Sequence, residues 1–299
     1  MKCTLEKLGF SLGFVELIMR CISTSSFSVL INGVAKGLIQ PQRGLRQGCP
    51  LSPYLFILCA ETFSNLLKQA EAQQLIHGIK FSKELSITHL LFADDSLIFT
   101  RATREDCTNL KEIFDCYAAA SGQTFNLEKS SMFFSESTRQ EQIAAITAIF
   151  QLQVVSRHAK YLGLPSMVGR NKTSFFKDIK LRVLGKISSS QAKLFSCRGN
   201  EVLIKVVAQA VPAYAMSVFK LPIGLCEDMQ KAIAGFWWGN SQNHKSIHWS
   251  KWENMCQAKS RGGLGFRDLS SFNHALVAKQ SWRIIQEPKS LVARVLKAR

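Results

Sequence analysis

A chain of 299 residues, 46% hydrophobic and 20% charged, can bury a real core in one or two domains, which excludes a disordered or fibrous protein. Nine cysteines with no C-x-x-C pair point to reduced intracellular thiols, not a disulfide framework or a zinc ribbon. Glu6 and Lys7 stand where a signal peptide needs an apolar run, and the apolar stretch from Val206 to Phe219 is interrupted by Gln209 and Pro212 and too short to span a bilayer. The net charge of +17 is lopsided: residues 1–169 hold 16 basic and 14 acidic side chains, residues 170–299 hold 22 and 7. Such a field draws polyanions, nucleic acid being the usual one, with a merely soluble basic surface as the plain alternative.

Residues up to about 23 read as one amphipathic helix, with Leu5, Leu8, Val15, Ile18 and Ile22 at helical spacing. A strand over 27–31 and another over 34–40 flank Asn32-Gly33, a strong two-residue hairpin signal. RGLRQGCPLSP, Arg43 to Pro53, is a shaped loop, and Ser52 and Pro53 suit the cap and first turn of a helix running to about 72. Two apolar strands, 87–93 and 96–100, are separated only by Asp94-Asp95. Thr103 and Asp106 approximate a capping box for a helix with Leu110, Phe114, Tyr117 and Ser121 on one face, closed by Gly122. A strand near 130–134 and a helix near 140–150 come next. Beyond Tyr161-Leu162-Gly163 the pattern changes to long helices at about 172–190, 199–218, 224–238 and 271–286. In the first of them Phe176, Ile179, Val183 and Ile187 form a stripe, with Lys177, Lys180, Arg182 and Lys186 off it. A domain boundary is expected near 165–170.

The chemistry centres on HLLFADDSLIF, His89 to Phe99. Two adjacent carboxylates at a hairpin tip walled by buried strands are costly unless something neutralises them. Mg²⁺ is bound through one or two carboxylates plus substrate phosphates, and two such ions can serve nucleotidyl transfer. Asp-Asp also marks solvated turns, so the pair alone is not decisive. His244 and His248 have helical spacing, but no second ligand pair comes after them, so zinc is not expected. Gly262-Gly263-Leu264-Gly265 lacks the Lys-Ser/Thr of a phosphate loop and reads as a turn.

The ordered set RGLRQGCPLSPYLF, FADD, SGQTFNLEKS and YLGLP resembles the successive palm motifs of reverse transcriptases, in the wording of plant-type non-LTR (LINE-type) retrotransposons, over nearly the whole chain. FADD is unspecific by itself, RQGCPLSPYLF is specific, and the order carries the resemblance. It implies an α+β fold: residues 1–168 as a partial fingers/palm domain, an antiparallel sheet packed on helices of a right-hand polymerase, and residues 169–299 as a basic, all-helical thumb and post-thumb region. The implied activity is RNA-directed DNA polymerase, with Mg²⁺ in a two-ion site, an RNA template, a DNA primer and deoxynucleoside triphosphates, in the nucleus. Asp94 and Asp95 match the metal-binding aspartates, Arg46, Gln47 and Gly48 the loop against nucleotide and template, Lys129 a lysine near the leaving pyrophosphate, and Tyr161, Leu162 and Gly163 the turn at the primer terminus. The segment from 170 is expected to grip primer and template through phosphate contacts, and the tryptophans of FWWG and SIHWSKW either stack bases or fill core. The family carries a further aspartate upstream of the opening helix. The resemblance therefore implies a fragment truncated at both ends, with little polymerase activity and an exposed sheet edge that lowers solubility. A non-catalytic nucleic-acid-binding remnant is the alternative.

Overall fold

Gly9 divides the opening helix: its φ of 84° is one that side-chain-bearing residues resist, and Ser11 restarts the helix by accepting from the Phe14 amide. The single helix expected up to residue 23 is therefore two, α1 (Lys2–Lys7) and α2 (Leu12–Ser23). Leu5, Val15 and Ile18 form a small core with Leu55, whereas Leu8 stays 46% exposed. The computed structural model describes residues 1–41, 44–155, 161–164, 176–188, 195–239 and 246–298. These divide into two units, residues 1–156 and 157–297, and the boundary expected at 168/169 lies outside the described residues.

In the first unit, Asn32 (φ 51°) and Gly33 (φ 82°) make the two-residue turn between β1 (Phe27–Ile31) and β2 (Val34–Ile39). This ladder is exposed along nearly its whole length, Leu30 and Leu38 included. Helix α3 (Ser52–Ala72) begins with Pro53 in its first turn, but Ser52 is not its cap: the Ser52 hydroxyl donates to the Arg46 carbonyl at 2.7 Å. With 21 residues at 1.5 Å each, α3 is long enough to serve two cores, Leu55 in the small one and Phe63 and Leu67 in the main one. Short β3 (Ile79–Lys80) and β4 (Ser86–Ile87) precede the antiparallel pair β5 (His89–Phe92) and β6 (Asp95–Ile98). Thr103 caps α4 (Arg104–Ser121), and Gly122 (φ 71°) ends it. Next come β7 (Ser131–Met132), α5 (Gln140–Phe150) and β8 (Gln153–Val154), the last pairing in parallel with β7. The main core is aromatic: Phe63 lies 4.8 Å from Tyr117 and 5.8 Å from Phe125, and Phe114 4.5 Å from Phe125, ring centre to ring centre. The sheet is thus present as separate two-stranded ladders on helices.

Among its described residues, the second unit is helical apart from a bridge between Tyr161 and Leu164. Helix α6 (Lys177–Ile187) buries Ile179, Val183 and Ile187, the expected stripe, against α9 (Ile223–Trp237). The helix expected over 199–218 is broken. It runs as α7 (Cys197–Val202), a π-helical stretch Leu203–Ala208, and α8 (Ala213–Val218), because Pro212 cannot donate into a continuing helix. Helix α10 (Trp252–Cys256), α11 (Leu269–Gln286) and α12 (Leu291–Lys297) complete it. Buried Asn273 of α11 accepts from the Leu221 amide and donates to the carbonyls of Met216 and Phe219, all at 2.8 Å, so a polar side chain ties α11 to the end of α8. The architecture is therefore α+β, small sheets on helices and then a helical region, consistent with a partial palm and its helical extension.

Candidate metal and nucleic-acid site

Phe92 pairs with Asp95, so the turn of the β5–β6 hairpin is Ala93-Asp94, one residue earlier than the sequence suggested. Ala93 takes a φ of 49°, the conformation a two-residue hairpin demands at its first central position. Asp94 stands on the turn and Asp95 opens β6. Both are exposed, as is Phe92, while the strands behind them are half-buried. The carboxylates are therefore not sealed between buried strands, and water screens their mutual repulsion. Two hard oxygen donors at an exposed tip fit one Mg²⁺ whose remaining ligands are water and substrate phosphates. Among the described residues, no third His, Cys, Asp or Glu joins them in a metal-holding group.

The hairpin is held from its base by side chains that motif reading passed over. His89, the first residue of β5, has Nε2 2.8 Å from the Ser64 hydroxyl of α3 and Nδ1 2.9 Å from the Thr88 hydroxyl. Burial pushes the His89 pKa down and Lys68 adds to this, against smaller opposing pulls from Glu71 and Glu61. Just past the end of the other strand, the Phe99 amide donates to the Thr88 carbonyl at 2.7 Å, and the Thr100 hydroxyl donates to Asp106 Oδ2 at 3.2 Å. Asp106 is nearly buried and also accepts from the His77 amide at 2.9 Å and from the Thr103 hydroxyl at 2.9 Å, with His77 Nδ1 at 3.0 Å. Burial by itself would raise the Asp106 pKa. The hydrogen bonds from Thr103, His77 and Thr100 outweigh it and hold the carboxyl below its usual range. Asp106 thus joins the end of β6, the start of α4 and the segment after α3. Its place three residues after Thr103 was the only sequence signal, and it hinted at a cap alone.

The other motif residues occupy turns. Arg46 lies over the Phe27 ring at 5.4 Å, and Gly48 adopts a φ of 81°. Arg46, Gln47 and Gly48 are exposed, while Gln42 and Arg43 lie outside the described residues. Cys49, next in this loop, has its thiol pKa lowered chiefly by the Leu51 amide. In the SGQTFNLEKS segment, Gln123 accepts from the Tyr117 hydroxyl at 2.9 Å and Phe125 enters the core. Lys129 ends exposed on a turn whose amide donates to Asn126 Oδ1. Among the described residues, neither Lys129 nor Arg46 forms an ion pair with Asp94 or Asp95. Tyr161 and Leu164 exchange backbone hydrogen bonds of 2.7 and 3.0 Å around Leu162 (φ 50°) and Gly163 (φ 76°), a tight turn that belongs to the second unit.

The family model described as reverse transcriptase (RNA-dependent DNA polymerase) matches residues 4–166, more than half of the chain. The chain belongs to this family. An uncharacterized mitochondrial protein of Arabidopsis thaliana is 48% identical over 91 residues, 30% of this chain and 59% of that protein. A putative ribonuclease H protein of the same plant is 34% identical over 133 residues, 44% of this chain and 22% of that protein. An uncharacterized 149 kDa protein of transposon TX1 from Xenopus laevis is 24% identical over 288 residues, 94% of this chain and 21% of that protein. The chain so spans from about a fifth to three fifths of the length of these relatives. The relatives fit a reverse transcriptase of plant non-LTR, LINE-type origin, and polymerases of this family use divalent metal ions.

Most of the second unit lies beyond the stretch that matches the reverse transcriptase model. On α6, Lys177, Arg182 and Lys186 are exposed, while Lys180 bonds Asp228 at 2.6 Å. Glu201 bridges Lys205 and Lys259 at 2.7 and 2.8 Å, and their hydrogen bonds draw its pKa down to about 2. The five tryptophans divide: Trp237, Trp238 and Trp252 pack against the core, whereas Trp249 and Trp282 are exposed. His244 lies outside the described residues. Among the described residues, no helix is long and apolar enough to cross a membrane.

Proposed function

We propose that this reverse transcriptase chain carries the paired metal-holding aspartates and the basic nucleic-acid-gripping part of an RNA-directed DNA polymerase of a LINE-type element. The observation that supports this most is the exposed Asp94–Asp95 tip on a hairpin anchored at both strand bases, inside the matched stretch. Bound there, Mg²⁺ would neutralise phosphate charge and favour an attacking hydroxyl. Asp94 and Asp95 would hold the ion, Arg46, Gln47 and Gly48 would lie against nucleotide and template, Lys129 would meet the leaving pyrophosphate, and Tyr161 to Gly163 would support the primer end. RNA template, DNA primer and deoxynucleoside triphosphates are the partners on this reading, a two-ion site its full form, and the nucleus its place. With two carboxylates in reach among the described residues, the polypeptide by itself extends primers poorly.

Fe²⁺ in place of Mg²⁺, with added hydrogen peroxide, tests the site without needing turnover, because the bound ion reduces peroxide to hydroxide and a hydroxyl radical that cuts nearby backbone. Cleavage is expected beside residues 94 and 95 and is expected to vanish in Asp94→Asn/Asp95→Asn. Cleavage that persists in the double variant, or occurs only beyond residue 156, overturns the assignment.

A second reading, a nucleic-acid-binding remnant, draws support from the charge: +15 of the +17 falls in residues 170–299. It expects binding that survives Asp94→Ala and weakens steeply with salt, and salt-insensitive binding would count against it.

A further inference from the structure

In the second unit a cavity of about 350 Å³ opens between the end of α9 and the start of α10. Its walls include Trp238, His248, Trp249, Lys251 and Trp252. Trp238 and His248 stack on each other with ring centres 5.9 Å apart and planes 26° apart. Trp252 is fixed from behind by Phe266, stacked at 5.2 Å and 13°. Phe266 is itself fully packed, since the loop bearing it returns to the Met255 carbonyl through the Leu264 and Phe266 amides. Trp252 is thus an aromatic wall backed by a second ring, and the Trp238–His248 pair supplies another aromatic face.

Two features remain unexplained by packing. The Trp252 indole nitrogen is buried and has no hydrogen-bond partner in the protein, although a buried N–H without an acceptor is costly. Trp249, three residues away, leaves its indole 80% exposed at the rim. The Trp252 nitrogen is enclosed beyond a ligand's reach, whereas a flat ring laid against Trp249 would cover that exposed plane.

The charge decides the class of ligand. An aromatic cage also suits a quaternary ammonium ion, but Lys251 lines this one and residues 170–299 carry +15, so a cation is repelled and an anion drawn in. A flat ring attached to phosphate meets both conditions, the ring for Trp249 and the negative charge for Lys251. We propose that this cavity takes a nucleobase of single-stranded nucleic acid, with Trp249 stacking on it and Lys251 meeting its phosphate. The inference rests on nucleic-acid binding by the basic region and is independent of the Asp94–Asp95 tip.

The test uses the full chain and two probes of equal length, oligothymidylate and the same strand without bases. Oligothymidylate is expected to quench indole fluorescence and bind the tighter of the two. Trp249→Ala should weaken it about tenfold, the scale of one lost base–aromatic stack, while its salt dependence and the affinity for the abasic strand stay unchanged. Trp249→Phe should restore most of the loss, and Trp282→Ala, which alters the other exposed indole, should change nothing. Because Trp249 is exposed, its replacement leaves the fold intact. Equal affinity for the two probes, or oligothymidylate binding untouched by Trp249→Ala, overturns the proposal. Asp94→Asn/Asp95→Asn should leave the quenching as it is, so failure here and failure of the metal site are told apart.

Discussion

Replacing Asp106 by alanine asks whether the hairpin that presents Asp94 and Asp95 is held by a carboxylate lying twelve residues away in sequence. Asp106 accepts from the His77 amide, the Thr100 hydroxyl and the Thr103 hydroxyl at 2.9 to 3.2 Å, with His77 Nδ1 also at 3.0 Å, and its side chain is 8% exposed. The two hydroxyls can rotate to other acceptors, and His77 at 25% exposure can reach water, but the His77 amide is left without its partner. One charge-assisted bond lost and one donor orphaned amount to about 3 kcal/mol. For a unit of this size that is a fall in melting temperature of roughly 9 °C. Circular-dichroism melts at neutral pH would read it, and amide exchange across residues 89–98 should accelerate. Acid supplies an independent check. The folded-state pKa of Asp106 is depressed, so its contribution is complete above the unfolded value near about 4 and is lost as pH falls through the lower folded value. The advantage of the wild type over Asp106→Asn should therefore shrink below about pH 4. A melt of Asp106→Ala within a degree of wild type, with unchanged exchange in the hairpin, would refute the anchoring.

His89 gives a separate pH dependence. Its folded pKa lies below the unfolded one, so the unfolded state takes up the proton first, and stability falls as pH drops through the unfolded value of about 6.5. The melting temperature of wild type should decline across that range, and that of His89→Gln should decline less; parallel curves would contradict this. Gly263 approaches the Gln257 carbonyl so closely that an added Cβ would sit 2.1 Å from its oxygen. Gly263→Ala should cost about 3 kcal/mol in the second unit, by overpacking, and a denaturation midpoint equal to wild type would show that the loop gives way instead.

Local chemistry was legible in the sequence where the cause is local. Asn32-Gly33 turns the chain because both positions take positive φ, Thr103 and Gly122 bracket α4 because one side chain caps and the other residue tolerates the left-handed region, and the stripe on α6 comes from helical periodicity. Gly9 and Pro212 broke two helices that periodicity alone had run through. The ordered motifs were legible too, and with them the family, since residue types at fixed spacing need no coordinates. Tertiary structure decided what depends on distant partners. His89 meets Ser64 across 25 residues and Asp106 meets His77 across 29, and no short-range signal encodes such pairs. It also decided exposure. Trp249 and Trp252, the same side chain three residues apart, end as an open plane and a packed wall, because burial depends on what the rest of the chain brings against each ring.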